Sequence, residues 1–181
     1  MNVIKSQSQR CHFCNNIESL FIESHTDSGQ KYNLFHCQVC GAEWWDPMKN
    51  PGAEWYEQDE RYANRNIDPI LKPNEKHRDT IDFFGNKSGK VLDVGCGVGN
   101  FLTLAEQKGW ECWGIDFDRD SIVTAQKTFG LKNLEAVDLS GFITKHPEQK
   151  FDLVTFFDVF EHIDNHKEFL SQVKSMLKTD G

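Results

Sequence analysis

Two sets of residues in this chain are spaced to do chemistry. The first is Asp93-Val94-Gly95-Cys96-Gly97-Val98-Gly99, an acid followed by three glycines at alternate positions. Val91, Leu92 and Val94 make the short apolar run of a buried parallel strand, and Phe101, Leu102, Leu104 and Ala105 resume beyond the glycines with helical spacing. Strand, glycine turn and helix together set a nucleotide-like ligand against a helix N-terminus. Glycine is called for because a Cβ would block approach to the backbone and because such turns draw on positive φ. The spacing departs from the dinucleotide fingerprint G-x-G-x-x-G, since Asn100 stands where the last glycine belongs. No Gly-Lys-Ser/Thr follows, so the run is not a phosphate-cradling P-loop. Asp93 sharpens the reading: a carboxylate there repels phosphate and suits a cationic ligand, a sulfonium-bearing nucleoside over a pyrophosphate.

The second set is Cys11, Cys14, Cys37 and Cys40, two C-x-x-C pairs with 22 residues between them. Four thiolates close a tetrahedral zinc site and leave no position for water, which predicts a structural Zn2+. Gly41 follows the second pair and Asn15 the first, residue types that tolerate the left-handed backbone of a zinc knuckle. Strands over 19–23 and 31–36 flank an Asp27-Ser28-Gly29 turn, with a third strand over 41–45. Together they read as a small β zinc ribbon over 1–48, whose core is too small to stand without metal. Two disulfides are the competing reading, disfavoured in a reducing compartment, and no thioredoxin-like context supports a redox pair. His12 and His36 flank the cysteines, but four sulfurs already complete the shell. Cys96 and Cys112 stand singly and read as small buried thiols.

Three more elements follow the glycine run in order. Trp113-Gly114-Ile115-Asp116 reads as a second strand ending in an acid 17 residues beyond Gly99. Leu134-Glu135-Ala136-Val137-Asp138-Leu139 reads as a short third strand ending at Asp138, and residues 151–163 as a fourth strand with its exit. With the glycine spacing, these motifs resemble the class I S-adenosylmethionine (SAM)-dependent methyltransferases over roughly residues 75–181. The Asp158-Val159-Phe160-Glu161-His162-Ile163 ending resembles the branch that methylates small molecules such as quinones, sugars and natural-product precursors. The resemblance implies a Rossmann-like α/β core over 89–181 with SAM as cofactor. It implies Asp93, Gly95 and Gly97 at the methionyl part, Asp116 on the ribose hydroxyls and Asp138 near the adenine amino group. Cys96, Phe117, Leu139 and Phe157 then line the cofactor. Glu161 and His162 open the helix after strand four, where a small-molecule methyl acceptor arrives, and His162 is the candidate base because imidazole titrates near neutrality. The plainer alternative has Glu161 favoured by the helix dipole and His162 merely packed.

The elements that position these residues follow from composition. The 181-residue chain carries a net charge of −8, and residues 1–50 hold four Lys/Arg against five Asp/Glu. The basic face that grips nucleic acid is missing, which disfavours an RNA substrate. No apolar run approaches a bilayer span and no signal-peptide core opens the chain, so a cytoplasmic protein is the expectation. Pro47 and Pro51-Gly52 punctuate the exit from the ribbon into a helical connector over 49–88. It carries a short helix over 54–64 and a second over 77–84 stopped by Gly85-Asn86. Tyr56 and Tyr62 are its candidates to cover cofactor or substrate. An amphipathic helix over 168–177 has apolar positions 169, 170, 173, 176 and 177. Lys178-Thr179-Asp180-Gly181 then resembles the turn that feeds a fifth strand in this family. A sheet ordered 3-2-1-4 leaves strand four as an apolar edge. The expectation is therefore a core truncated at its carboxyl end, its edge covered by a further segment or a partner chain, and unable to turn over alone. A small-molecule methyltransferase leads; a zinc-ribbon RNA methyltransferase and a non-catalytic SAM-fold scaffold are the alternatives.

Overall fold

A computed structural model describes residues 9–27, 29–48 and 72–181. The chain divides into two units, Met1–Asn50 with Asp164–Lys167 and Pro51–Ile163 with Glu168–Gly181. The helix expected over 54–64, with Tyr56 and Tyr62, lies outside the described residues.

In the first unit β1 (Ser19–Asp27), β2 (Gln30–Cys37) and β3 (Glu43–Asp46) form an antiparallel sheet in that order. Phe35 on β2 lies opposite Trp44 on β3, and their rings stack with centroids 5.8 Å apart. β1 runs four residues past its expected end because the hairpin stays paired down to Asp27 and Gln30, although its residues beyond Ser19 are exposed. Among the described residues the buried apolar core is Cys11, Phe35, Cys37 and Trp44, edged by Phe13, Ala42 and Met48. Such a core does not offset the entropy of ordering the chain, so the sheet needs a further source of stability.

In the second unit α1 (Glu75–Phe84) precedes β4 (Lys90–Val94), and α2 (Asn100–Gln107), β5 (Glu111–Ile115) and α3 (Arg119–Phe129) follow. β6 (Asn133–Glu135), α4 (Leu139–Lys145), β7 (Leu153–Thr155) and, from Glu168 onward, α5 (His166–Met176) complete it. The four parallel strands lie in the order β6-β5-β4-β7, which is the 3-2-1-4 order that the resemblance implies. Side chains alternate across the sheet. Val91 joins Phe101, Leu102, Ala105, Ile122 and Leu134 on one face. Leu92 and Val94 join Ile115, Phe142, Phe169 and Met176 on the other. Gly114 keeps α2 close to β5, for a Cβ there would sit 2.6 Å from Leu102 Cδ1 and 2.8 Å from Cys96 Sγ.

Several local expectations change. β6 stops at Glu135, and Asp138 caps α4 instead of ending a strand, its carboxylate accepting from Gly141 N at 2.6 Å. Asp and Asn compete with strand pairing in this way because their side chains satisfy free helix amides. Glu161 and His162 do not open the next helix; they lie in a 3-10 turn over Phe160–His162, and α5 begins at His166. In α5 Phe169, Val173 and Met176 are buried, whereas Leu170, counted as apolar face, is exposed. The start of the fourth-strand region is also not bare. Phe151 N donates to Met176 O at 2.8 Å and Lys178 N to Phe151 O at 2.9 Å, so the chain after α5 pairs with that edge at one residue.

Candidate functional site

The site forms where β4 gives way to its glycine turn. Gly95 N and Cys96 N both donate to Ile115 O, at 2.8 and 3.0 Å, which pins the turn to the end of β5. Gly95, Gly97 and Gly99 all have positive φ, at 76°, 51° and 84°. Their reasons differ beyond that. A Cβ on Gly95 would strike Val159 Cγ2 at 2.4 Å and one on Gly99 would strike Leu131 Cδ1 at 2.3 Å. A Cβ on Gly97 would meet nothing within 4 Å. Gly95 and Gly99 are therefore required on both counts, backbone and packing, whereas Gly97 leaves open space beside its backbone.

Asp116 is braced against that backbone. Gly97 N donates to its Oδ2 at 2.7 Å and Asp118 N to its Oδ1 at 2.8 Å. An ionised carboxylate has about four acceptor sites, so these two bonds leave acceptor capacity on its oxygens. Burial pushes the Asp116 carboxyl up, opposed by the Asp118 and Gly97 amides. Asp93 is more deeply set, 3% exposed, and its Oδ1 accepts from Thr155 Oγ1 at 2.7 Å. Burial raises its pKa to about 7; the Thr155 hydroxyl opposes that rise and the charge of Asp116 adds to it.

The other expected residues are distributed around this centre. Phe117 is 75% exposed beside Asp116. Cys96 is buried, its thiol directed to Gly97 O at 3.7 Å and pushed upward, chiefly by burial. The Leu139 side chain belongs to the core instead of an open surface. Phe157 packs against Phe101 at 5.0 Å and His77 at 4.6 Å. Glu161 and His162 are both exposed. Two participants escaped the sequence reading. His77 on α1 is buried against Phe101 and Phe157, with burial lowering its pKa. One residue earlier, Lys76 Nζ meets Asp158 Oδ1 at 2.5 Å, tying α1 to the segment after β7. Thr155 is the second, and a signal for it existed: it is the hydroxyl residue in an apolar strand and falls in register with Asp93.

The four cysteines of the first unit converge, with every Sγ within 4.8 Å of the others. Cys11 and Cys40 sulfurs are 3.6 Å apart, as are those of Cys14 and Cys37. That matches the edge of about 3.8 Å in a tetrahedron built from Zn–S bonds of ~2.3 Å, and all four thiols are free. Asn15 and Gly41 take φ of 63° and 73°, the left-handed turns expected of two knuckles. Phe13 N donates to the Cys11 sulfur at 3.4 Å. The Cys40 amide, the largest influence on Cys37, helps bring its pKa down to about 6. At Cys40 the lowering by the Ala42 amide is outweighed by burial and the neighbouring cysteine sulfurs, which push it up to about 12, so the first proton leaves the cluster from Cys37. The residues fit a four-sulfur metal site. His36 instead pairs with Glu43 at 3.1 Å, and His12 lies edge-on to Trp44.

Residues 55–181 match the family model described as a methyltransferase domain. The match begins at residue 55, upstream of the motifs that carried the resemblance. The chain is 30% identical over 109 residues to the ubiquinone biosynthesis O-methyltransferase of Glaesserella parasuis serovar 5, covering 56% of this chain and 45% of that protein. It is 28% identical over 142 residues to the protein of the same name from Bradyrhizobium diazoefficiens, covering 77% and 54%. The chain thus spans about half the length of the curated relatives it matches. Among solved structures, the TehB-like SAM-dependent methyltransferase from Corynebacterium glutamicum aligns with a TM-score of 0.51 at 25% identity, over 71% of this chain and 68% of that one. The fold also aligns with the plantazolicin methyltransferase BpumL in complex with a monoazolic desmethylPZN analog and SAH, with a TM-score of 0.56 at 22% identity, over 68% and 51%. The chain belongs to the class I SAM-dependent methyltransferase domain family, and carries a four-cysteine β sheet ahead of that domain.

Proposed function

We propose that the glycine turn binds SAM and that the chain serves methyl transfer to an oxygen or carbon nucleophile of a small molecule of quinone, sugar or natural-product type. The observation that carries this reading is the braced Asp116, whose two remaining acceptor positions suit the vicinal hydroxyls of a ribose. When bound, SAM supplies an electrophilic methyl on a sulfonium. The residues of this chain hold it. Asp116 takes the ribose, Asp138 the adenine amino group with the oxygen not spent on its helix cap, and Phe117 offers an exposed ring beside Asp116. Asp93, Gly95 and Gly97 take the methionyl part. Phe157 closes the aromatic wall with His77 and Phe101. Glu161 and His162 stand on the acceptor side, where His162 removes a proton from a hydroxyl acceptor. A small acceptor is favoured over RNA by the net charge of −8 and by the names of the curated relatives.

In the same reading Cys11, Cys14, Cys37 and Cys40 hold a structural zinc, with domains over 1–48 and 89–181 joined by the connector 49–88. Among the described residues no helix is long and apolar enough to cross a membrane. Asp116→Ala removes two hydrogen bonds to a charged group and should weaken SAM binding by about 3 kcal/mol, on the order of 100-fold. Calorimetric titration reads this directly. Unchanged affinity in the Asp116→Ala chain would place the ribose elsewhere.

A further inference from the structure

Thr155 and Asp93 form a buried pair that the cofactor reading does not by itself explain. Both side chains are almost wholly shielded from solvent, and the hydroxyl donates to the carboxylate across adjoining strands. Among the described residues, the titratable groups that act on Asp93 are an acid and two thiols. Asp116 stands at the end of β5, Cys96 lies in the turn, and Cys112 lies on β5. A carboxylate so placed is costly while the site is empty of positive charge. The cost is relieved when a cation enters beside the glycine turn.

Resting on the SAM reading above, we propose that Asp93 holds a proton in the empty site and yields it to solvent when a sulfonium ligand binds, with Thr155 as the positioning residue that sets how readily it does so. The proton balance is simple. The carboxyl O–H breaks, the proton passes to buffer, and the ligand's positive charge takes its place beside the carboxylate. Methyl transfer removes that charge, because the acceptor's lone pair forms the new bond to the methyl carbon while the S–CH3 bonding pair stays on sulfur, leaving a neutral thioether. Asp93 then takes a proton back. The site thereby responds to the sulfonium charge that the cofactor carries and its thioether product lacks, the ammonium and carboxylate of the methionyl part being common to both. The raised pKa of about 7 agrees with this, since it leaves Asp93 close to half protonated at neutrality.

The test is calorimetry of the full chain with SAM and, separately, S-adenosylhomocysteine, in buffers of different ionisation enthalpy between pH 6 and 9 (roughly the range that brackets the expected titration). At pH 7 SAM should release about half a proton per site, and the thioether product distinctly less. Asp93→Asn should abolish the release. Thr155→Val removes a hydrogen bond that favours the charged form, so the release midpoint and the pH at which SAM affinity rises should both move upward by about one to two pH units. Thr155→Ser should restore the wild-type profile, which a merely structural role would not require. Saturable binding of both ligands with heats independent of buffer would overturn the inference and leave the cofactor reading standing. Proton release that survives in Asp93→Asn would place the proton on Asp116 and also overturn it. Absence of any SAM binding would overturn both readings.

Discussion

Withdrawing metal from the reduced chain should dissolve the sheet of β1, β2 and β3. Among the described residues its buried apolar core is Cys11, Phe35, Cys37 and Trp44 with a few edging residues, and two of those four are thiols. Four-sulfur zinc sites contribute on the order of 10–16 kcal/mol of apparent binding free energy at neutral pH, far more than such a core supplies. One zinc per chain is expected by elemental analysis. A strong chelator should erase dispersed NMR signals from Phe35 and Trp44, and added zinc should restore them. Cys11→Ala and Cys37→Ala should behave alike, since each deletes one sulfur of a closed shell. Metal-free, reduced protein that kept the Phe35 and Trp44 signals would contradict the assignment.

The second large effect concerns Asp93, where stability and binding should move in opposite directions. Its carboxyl titrates near 7 in the folded chain, against an ordinary value of 3.8. The folded chain therefore holds this proton more tightly than the unfolded chain does. The resulting stability is fully present below about pH 4 and is lost as pH rises toward 7. About three decades of proton affinity correspond to on the order of 4 kcal/mol. Asp93→Asn preserves an acceptor for the Thr155 hydroxyl and removes the buried charge. Denaturant unfolding at pH 8 should find the Asp93→Asn chain more stable than wild type by up to that amount, with the gap closing toward pH 4. The same substitution should weaken SAM binding. A destabilised Asp93→Asn chain at pH 8 would show that the buried charge is compensated by the fold itself.

Much of this architecture was legible in the residues because each signal was local. Apolar runs ending in glycine or acid marked the strands, and the sheet order β6-β5-β4-β7 is the one the family resemblance implies for them. Asn15 and Gly41 announced two left-handed turns beside cysteines, and both are present. Gly85 ended α1 where expected. What stayed hidden depends on contacts between distant segments. The Thr155–Asp93 bond spans 62 positions and exists because β4 and β7 lie in register. His77 looked like one more polar residue at a helix start, yet the packing of α1 against Phe101 and Phe157 buries it. Asp138 could end a strand or cap a helix, and the choice fell to the cap because the chain leaves β5 after Glu135. The Met176–Lys178 pairing to Phe151 was equally invisible, since it needs α5 to return the chain to the sheet edge.

The glycine turn and Asp116 should bind SAM and not a dinucleotide. Parallel calorimetric titrations of the chain with SAM and with NAD+ separate the two ligands. One saturable SAM site, displaced by S-adenosylhomocysteine, and no saturable heat from NAD+ are expected. Saturable binding of NAD+ by a chain that gives no heat with SAM would contradict this expectation.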